Sequence, residues 1–267
     1  MSFTINGKTA IVTGAANGIG LAIARHFADR GANVMCADMD EKKLADELGD
    51  VAEEGNIRYF AGDLRQRLTI ANLVSATIDA FDQVDILVNA SRQVMHTDAL
   101  NPEDASVEVM LEQNLMTALR LTQQVARRMI KQAEGNSDAV CVGSIVNLSS
   151  IAAHQSRPEL LGYSISSAGL EQMTRSMALA LAPDRIRVNA VSFGSVMSAS
   201  LQSSIGDNPE WREEIEAQTP LHRIAAPSEL VDAVQFLASD GSGFVTGEVL
   251  TVDGGRSLLD PADAPAH

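Results

Sequence analysis

The sequence predicts a single α/β domain, a doubly wound parallel sheet of about seven strands with helices on both faces. The first observation is that short apolar runs typical of strands alternate with longer stretches of helical periodicity along the 267 residues. Such alternation builds a parallel sheet, because each right-handed crossover lays a helix against one face. The second is that no linker rich in Pro, Gly and Ser interrupts the chain before its end. We therefore expect one domain over residues 1–258 and a flexible tail over residues 259–267.

The predicted elements follow one another in the order that this architecture requires. Runs with the composition of buried strands predict strands at 9–12, 33–37, 57–61, 85–89, 144–148 and 186–191, and a final strand within 244–255. Amphipathic stretches predict helices at 18–29, 41–53, 66–81 and 163–181, and a long helix over 102–132 that must bend somewhere. A turn cluster at 134–138 leads into the fifth strand.

The charge of the chain limits its partners. With a net charge of −15, its surface repels phosphate backbones and anionic headgroups, so we expect neither nucleic acid nor membrane partners. The first residues lack the pattern of a signal peptide, and no apolar run approaches the roughly 20 residues of a membrane span. We therefore expect a cytoplasmic protein.

The two cysteines, Cys36 and Cys141, both lie in apolar runs that predict strands. We expect them to act as small buried hydrophobic residues rather than as a disulfide or metal ligands, and we predict no metal site.

A glycine-rich loop, Thr-Gly-Ala-Ala-Asn-Gly-Ile-Gly at 13–20, connects the first strand to the first helix. Glycines let the backbone turn tightly and approach a pyrophosphate, while the helix N-terminus directs free N–H groups at the anion. Three glycines in one turn also occur in loops that bind nothing, but this position favours a dinucleotide site of the Rossmann type. The predicted cofactor contacts in the loop are Gly14, Asn17, Gly18, Ile19 and Gly20.

Asp38 ends the second predicted strand. A carboxylate there can accept both hydroxyls of an adenosine ribose and would repel a 2′-phosphate. The loop at 13–20 contains no Arg or Lys that could attract such a phosphate. The alternative is that Asp38 only caps the next helix, near Asp40 and Glu41. We favour the ribose contact and therefore NAD(H) over NADP(H).

Two hydroxyl groups suggest the chemistry. Ser150 follows the fifth predicted strand and Tyr163 begins the next predicted helix. Where they converge on one carbonyl, the serine could orient the substrate oxygen while the tyrosine donates or accepts the proton. Together with the glycine loop and Asp38, these residues make the chain resemble the short-chain dehydrogenase/reductase family from Lys8 to Gly255.

The resemblance implies further site residues. In that family, the residue matching Asp63 binds the adenine amino group, and the one matching Asn114 opens a helix and holds a proton-relay water. By themselves, Asp63 could be a plain turn acid and Asn114 a bend or surface residue. The resemblance also implies that four residues contact the cofactor, namely Leu64, Asn89, Val196 and Ser198.

The chain departs from the family pattern at several positions. Ser167 stands where the family has a lysine, whose charge stabilises the tyrosinate and which also binds the nicotinamide ribose. Ala90 and Arg92 replace the second Asn and the Gly of Asn-Asn-Ala-Gly, so we expect Ala90 to lose an amide that braces the sheet. Phe193 replaces a proline. The plainer expectation is that Arg92 points into solvent; the alternatives are that its guanidinium replaces the missing ammonium or crowds the cofactor.

The resemblance implies an NAD(H)-dependent oxidoreductase that interconverts a secondary alcohol and a carbonyl by hydride transfer, with proton transfer weakened at Ser167. The alternative is a catalytically impaired nucleotide-binding protein that acts as a sensor or partner subunit. The segment 200–221 resembles the mobile substrate lid, and its glutamates are expected on a solvated helix face. The final strand resembles one that pairs across a two-fold axis, which implies a homotetramer or homodimer.

Overall fold

A computed structural model describes residues 3–52, 55–134 and 140–260 of the chain. Seven parallel strands form one sheet in the order β3-β2-β1-β4-β5-β6-β7, which confirms the predicted doubly wound architecture. The strands are β1 Thr9–Thr13, β2 Asn33–Asp38, β3 Ile57–Ala61, β4 Ile86–Asn89, β5 Gly143–Ser150, β6 Ile186–Phe193 and β7 Val249–Val252. Most of the turn cluster at 134–138 and of the tail at 259–267 lies outside the described residues.

Nine α-helices connect the strands or follow them in the described part of the chain. They are α1 Gly18–Asp29, α2 Glu41–Ala52, α3 Arg67–Phe81, α4 Ser106–Met110, α5 Thr117–Gln132, α6 Leu161–Leu181, α7 Ala199–Asp207, α8 Glu210–Ala217 and α9 Pro227–Ala238. None of the described helices is long and apolar enough to cross a membrane.

The central strands β1, β4, β5 and β6 are buried along their whole length, whereas the edge strands β3 and β7 are partly exposed. In β1, Ile11 packs into one core layer while Val12 packs into the other, since neighbouring side chains point to opposite faces. The layer that contains Val12 also includes Phe27 of α1 and Val234 of α9. The opposite layer includes side chains from α3 and α5, among them Leu121.

The long helix predicted over 102–132 is bent by a π-helical turn, Leu111–Met116, between α4 and α5. The Thr117 hydroxyl donates to the Glu112 carbonyl, five residues back, at 2.9 Å, which matches the wider hydrogen-bonding step of a π-turn. This turn carries Asn114. A π-turn inserts one extra residue and shifts the phase of a helical pattern that continues on both sides, and the sequence did not locate that shift.

Four strands are longer than predicted: β1 and β2 by one residue each, and β5 and β6 by more. The position predicted for one cysteine also differs from the structure. β5 extends to Ser150 and β6 to Phe193, because the two strands stay paired in register to their ends. Cys36 is buried in β2, where burial raises the pKa of its thiol to about 12. Cys141 precedes β5 and is only half-buried, so its predicted strand position is wrong: pairing begins at Gly143.

The loops after β1 and β4 meet where the order of the sheet reverses. A Cβ at Gly14 would lie 2.9 Å from both the Ala90 carbonyl oxygen and the Ser91 Cα, so these two loops are in contact. In doubly wound sheets, ligands bind in the crevice at this reversal point, outside the carboxyl ends of the strands.

Candidate active site

The glycine loop is fixed by its own packing. Gly14 and Gly18 have φ values of +67° and +55°, a region that favours glycine. A Cβ at Gly20 would lie only 2.1 Å from the Gly14 carbonyl oxygen, so the first turn of α1 packs directly on the loop. Glycine at position 20 lets helix and loop approach so closely, whereas glycine at positions 14 and 18 is favoured by its positive φ.

The N-terminus of α1 is open to an anion. Among the described residues, the side chain of Asn17 caps none of its N–H groups, and the first turn of Gly18–Asp29 contains no acidic residue. A Cβ at Gly18 would meet nothing within 4 Å. Uncapped N–H groups beside open space fit the diphosphate of a dinucleotide.

Asp38 bridges the loop and the turn that follows β2. Its Oδ2 accepts a hydrogen bond from the Ala16 N–H and its Oδ1 accepts one from the Asp40 N–H, both at 3.1 Å. The cap of α2 is instead Asp40, whose Oδ1 accepts from the Lys43 N–H at 3.0 Å. That bond, together with the Lys43 side chain, holds the pKa of Asp40 below its usual range. The capping role considered for Asp38 therefore belongs to Asp40.

Asp63 follows β3 and is paired within its own turn. The Arg65 guanidinium donates to both carboxylate oxygens, at 2.8 and 2.9 Å, and holds the pKa of Asp63 below its usual range. The neighbouring Leu64 is buried. Asp63 is thus at least a turn acid, and its contact with adenine stays a prediction.

Asn89, rather than residue 90, supplies the amide that braces the sheet. Its Nδ2 donates to Asn147 Oδ1 on β5 at 2.8 Å and to the Thr122 hydroxyl on α5 at 3.2 Å. Asn147 in turn donates to the Thr174 hydroxyl on α6 at 2.8 Å. Asn89 therefore braces the sheet at this point, and the expected loss of a second amide at Ala90 stays a prediction.

Ser150 and Tyr163 line the same cavity of about 930 Å³ at the carboxyl ends of the strands, together with Val196 and Ser198. Ser150 ends β5, and its Oγ accepts from the Ala152 N–H at 3.2 Å. Tyr163 lies in the first turn of α6 and is only 8% exposed. The structure therefore brings together the two hydroxyls that the sequence singled out.

Asn114 holds the loop that follows β4. Its Oδ1 accepts from the Gln93 N–H at 2.7 Å, and its Nδ2 donates to the Gln93 carbonyl at 2.9 Å and to the Ser166 hydroxyl at 3.1 Å. The residue is buried, so it is not the surface residue considered as an alternative. Its side chain acts as a clamp on the loop, and a water held by Asn114 stays a prediction.

Arg92 is exposed, as expected, but its guanidinium is directed at the tyrosine rather than away from the protein. Its Nη1 donates to the Tyr163 hydroxyl at 3.1 Å, and its guanidinium carbon lies 4.4 Å from the ring centroid of Phe193. The Tyr163 hydroxyl, as acceptor, and the face of the Phe193 ring therefore both stabilise the guanidinium in this position. Ser167, one helical turn after Tyr163, is buried and uncharged.

Three further charged residues line the cavity, and the sequence analysis missed two of them, Arg157 and Arg256. Arg256 Nη1 donates to the Ser195 hydroxyl at 2.8 Å, and burial together with the nearby Arg157 holds the pKa of Arg256 below its usual range. Arg157 lies 3.7 Å from Glu214 of α8, so one glutamate of the segment 200–221 faces the cavity instead of forming only a solvated face. Arg157, Glu214 and Arg256 are far apart in the sequence, and nothing in their spacing indicates that they line one cavity.

The described residues contain no group of three or more His, Cys, Asp or Glu side chains arranged to hold a metal ion. The glycine loop, the uncapped N-terminus of α1 and Asp38 lie together, and their N–H donors and carboxylate match the diphosphate and ribose of a dinucleotide.

Comparisons with known proteins agree with this geometry. A family model described as enoyl-(acyl carrier protein) reductase matches residues 14–257. A short-chain dehydrogenase of Penicillium roqueforti is 32% identical over 97% of this chain and 98% of its own. The 3-oxoacyl-[acyl-carrier-protein] reductase of Thermotoga maritima is 33% identical over 94% of this chain and 98% of its own.

A solved structure of 7α-hydroxysteroid dehydrogenase, complexed with NADH and 7-oxo glycochenodeoxycholic acid, superimposes with a TM-score of 0.86. It is 30% identical to this chain, and the match covers 95% of each. The protein therefore belongs to the short-chain dehydrogenase/reductase family of oxidoreductases.

Proposed function

We propose that the protein is an NAD(H)-dependent oxidoreductase that interconverts a secondary alcohol and a carbonyl. The observation that carries the proposal is the presence of Ser150 and Tyr163 in one cavity at the carboxyl ends of the strands. Two hydroxyls placed in this way can address a single substrate oxygen.

The cofactor site would lie along the crevice between the loops after β1 and β4. The N–H groups at Asn17, Gly18, Ile19 and Gly20 would hold the diphosphate, and Asp38 would accept the adenosine ribose hydroxyls. Leu64, Val196 and Ser198 would line the remainder of the site. When bound, NAD(H) supplies or accepts the hydride. The carboxylate of Asp38 would repel a 2′-phosphate, which favours NAD(H) over NADP(H).

The substrate oxygen would lie between the two hydroxyls. In the reducing direction, Ser150 donates a hydrogen bond that orients the carbonyl, and Tyr163 gives its proton to the oxygen as the alcohol forms. In the oxidising direction, the deprotonated Tyr163 takes that proton back. Asn114 supports this arrangement indirectly, through its hold on the loop at Gln93.

The charges of the cavity favour a substrate with an acidic group. Arg157 and Arg256 line the cavity, and Glu214 is the one carboxylate among its described lining residues. Asp253 also lies close enough to act on Arg256, whose guanidinium is hydrogen-bonded to a neutral hydroxyl. A partly buried guanidinium of this kind gains most from a carboxylate or phosphate ligand. We therefore propose that the substrate carries a negative charge distant from the reacting carbon.

The test is a screen of carbonyl compounds with NADH consumption as the readout, in which each acidic compound is paired with its neutral amide or ester. We expect turnover to favour the acidic members. The variant Arg256→Met should raise KM for an acidic substrate by about tenfold, since hydrogen bonds between charged groups contribute about 1.5–3 kcal/mol, and should leave KM for the neutral analogue nearly unchanged. Equal loss for both members of a pair would contradict the acidic preference.

A binding measurement distinguishes a protein that binds cofactor without turning over a substrate from one that does not bind the cofactor at all. If NADH binds, as followed by its fluorescence, while no compound is turned over, the protein is a nucleotide-binding member of the family without the proposed activity. If neither NADH nor NADPH binds, the cofactor assignment itself is wrong.

The edge strand β7 suggests how subunits associate. It pairs only with β6 in the described sheet, and Phe244 next to it is fully exposed. We propose a homodimer or homotetramer that covers this edge. Sedimentation equilibrium of the wild type and of Phe244→Asp measures it, and a monomeric wild type would refute it.

A further inference from the structure

Three positions that differ from the family pattern meet in space, although they are far apart in the sequence. Ser167, one helical turn after Tyr163, carries no charge and lines the same small cavity as Tyr163 and Arg92. The Arg92 guanidinium donates to the tyrosine hydroxyl and lies over the ring of Phe193. Taken alone, the serine at 167 removes a charge, and Arg92 would obstruct the cofactor site. Because these residues lie close to the Tyr163 hydroxyl, we consider their combined effect on that group.

The position of the guanidinium is well supported. Arg92 lies in an exposed loop after β4, but the next residue, Gln93, is clamped through both backbone polar groups by Asn114. The Phe193 ring, at the end of β6, presents its face to the guanidinium at 4.4 Å. A cation over an aromatic face is attracted electrostatically, so the ring holds the charge beside Tyr163.

Among the described groups near Tyr163, Arg92 is the one that places a positive charge beside its hydroxyl. Ser150, Ser167 and Asn114, from β5, α6 and the π-turn, are uncharged. The remaining charged side chains that line the cavity are Arg157, Glu214 and Arg256. Arg157 lies beside Glu214, and Arg256 donates to Ser195. Arg92 donates directly to the tyrosine hydroxyl at 3.1 Å.

We propose that the Arg92 guanidinium stabilises the deprotonated form of Tyr163 and so supplies, from another element of the fold, the positive charge that residue 167 lacks. Arg92 is then a catalytic residue, because it touches the oxygen that exchanges the proton, and Phe193 is a positioning residue. The proton still moves only between Tyr163 and the substrate oxygen, since a guanidinium stays protonated throughout. This proposal rests on the proposed function for its role in turnover, but the coupling of charge to hydroxyl can be measured without cofactor or substrate.

The chain offers an unusually clean measurement, because it contains only two tyrosines, Tyr59 and Tyr163. In a Tyr59→Phe background, the ultraviolet absorbance of tyrosinate reports on Tyr163 alone. We expect Arg92→Gln to move the midpoint of this titration upward by about one pH unit or more, a change of about tenfold in the phenolate fraction at a given pH. Circular dichroism recorded over the same pH range confines the comparison to folded protein.

Matched variants separate an effect of the Arg92–Tyr163 hydrogen bond from a general effect of positive charge in the cavity. Arg157→Gln removes the same charge from the same cavity without removing a bond to Tyr163, so we expect a shift of less than about a third of a pH unit. Phe193→Leu should give a partial upward shift, because the guanidinium loses its aromatic support. Ser167→Lys in the Arg92→Gln background should return the midpoint toward its original value, because it restores a cation one turn from the tyrosine.

Three results would overturn the proposal. An unchanged midpoint in Arg92→Gln would show that the contact is only structural. An equal shift in Arg157→Gln would show that any positive charge in the cavity suffices. Tighter NADH binding and faster turnover in Arg92→Gln would show that Arg92 obstructs the site. If the midpoint shifts as expected while the wild type turns over no substrate, the charge coupling stands and the proposed function fails.

Discussion

The two ends of the proposed cofactor crevice differ in how closely they follow the family pattern. At the glycine loop and Asp38, the residues that the resemblance implies are present, and the loop packs directly on α1. At the hydroxyl end, Ser167 stands where the resemblance implies a lysine, and Arg92 and Phe193 stand where it implies glycine and proline. The proposed nucleotide end thus follows the expected pattern, whereas the proposed proton-transfer end departs from it.

The difference follows from the physics of each end. The glycine loop is constrained by backbone contacts, since a single added methyl group at Gly20 would lie 2.1 Å from the Gly14 carbonyl oxygen. No other residue can substitute there. A positive charge acts through distance and has little directional requirement, so a guanidinium can approach a hydroxyl from another element of the fold. Steric requirements therefore preserve one end, whereas an electrostatic requirement can be met in more than one way.

The largest expected effect is at the hydroxyl end. Tyr163→Phe removes the proton donor and should lower kcat by about 10²–10⁴-fold, the usual contribution of general acid–base catalysis. NADH affinity should change by less than about threefold, because the ribose and diphosphate contacts lie elsewhere. Steady-state kinetics and a fluorescence titration measure the two effects, with Tyr59→Phe as the control. If NADH affinity fell by the same factor as kcat, the proposed separation between a nucleotide-binding end and a proton-transfer end would be wrong.

The next effect is on stability and concerns the glycine loop. Gly20→Ala should lower the free energy of unfolding by roughly 3 kcal/mol, because the loop and the first turn of α1 must separate. Gly49→Ala is the matched control. In α2, an added Cβ would meet nothing within 4 Å, and alanine should raise helix stability by about 0.5–1 kcal/mol. Urea unfolding compares them, and two neutral substitutions would contradict the steric argument.

A smaller effect tests selectivity for the cofactor. Asp38→Asn removes the negative charge opposite a 2′-phosphate, so the ratio of NADPH to NADH affinity should rise by about tenfold. The ratio is informative because loosening of the Ala16 contact would weaken both cofactors equally. Asp40→Asn, which alters the cap of α2, should leave the ratio unchanged. An unchanged ratio in Asp38→Asn would leave the preference for NAD(H) without support.

The smallest expected effect is on stability and concerns an exposed ion pair away from both ends of the crevice. Glu229 accepts from the Arg223 guanidinium at 2.6 and 2.7 Å and from the Ala226 N–H, which lowers its pKa from 4.5 to about 2. Because the folded-state pKa is depressed, this stabilisation is complete above about pH 4.5 and is lost as the pH falls toward 2. Glu229→Gln should therefore cost less than about 1 kcal/mol at pH 7, since the pair is exposed. At pH 2 the two proteins should unfold alike, and a difference that persists there would rule out the carboxylate as its source.

Local pattern predicted most of the fold, because strands buried on both faces and amphipathic helices each leave a distinct periodicity in the sequence. It did not place the π-turn at Leu111–Met116, because that turn only shifts the phase of a helical pattern that continues on both sides. The same limit applies to the ends of β5 and β6, which are determined by pairing between strands rather than by composition.

Local pattern also predicted Ser150, Tyr163 and the glycine loop, but not the direction of Arg92. That direction depends on Phe193, which is about 100 residues further along the chain and reaches the tyrosine only through the β5–β6 pairing. Arg256 is a similar case, since it enters the cavity from the end of the chain. Contacts of this kind depend on topology, which a local pattern does not contain.

The cationic lining of the cavity has a consequence for ligand kinetics, because the protein that surrounds it is strongly acidic. An anion that approaches from bulk solvent first meets repulsion and then, at the mouth, attraction. Added salt weakens both fields, but the outer one acts over many ångströms and is screened first. Moderate ionic strength should therefore speed the arrival of an acidic ligand and, at higher concentration, shorten the time for which it remains bound.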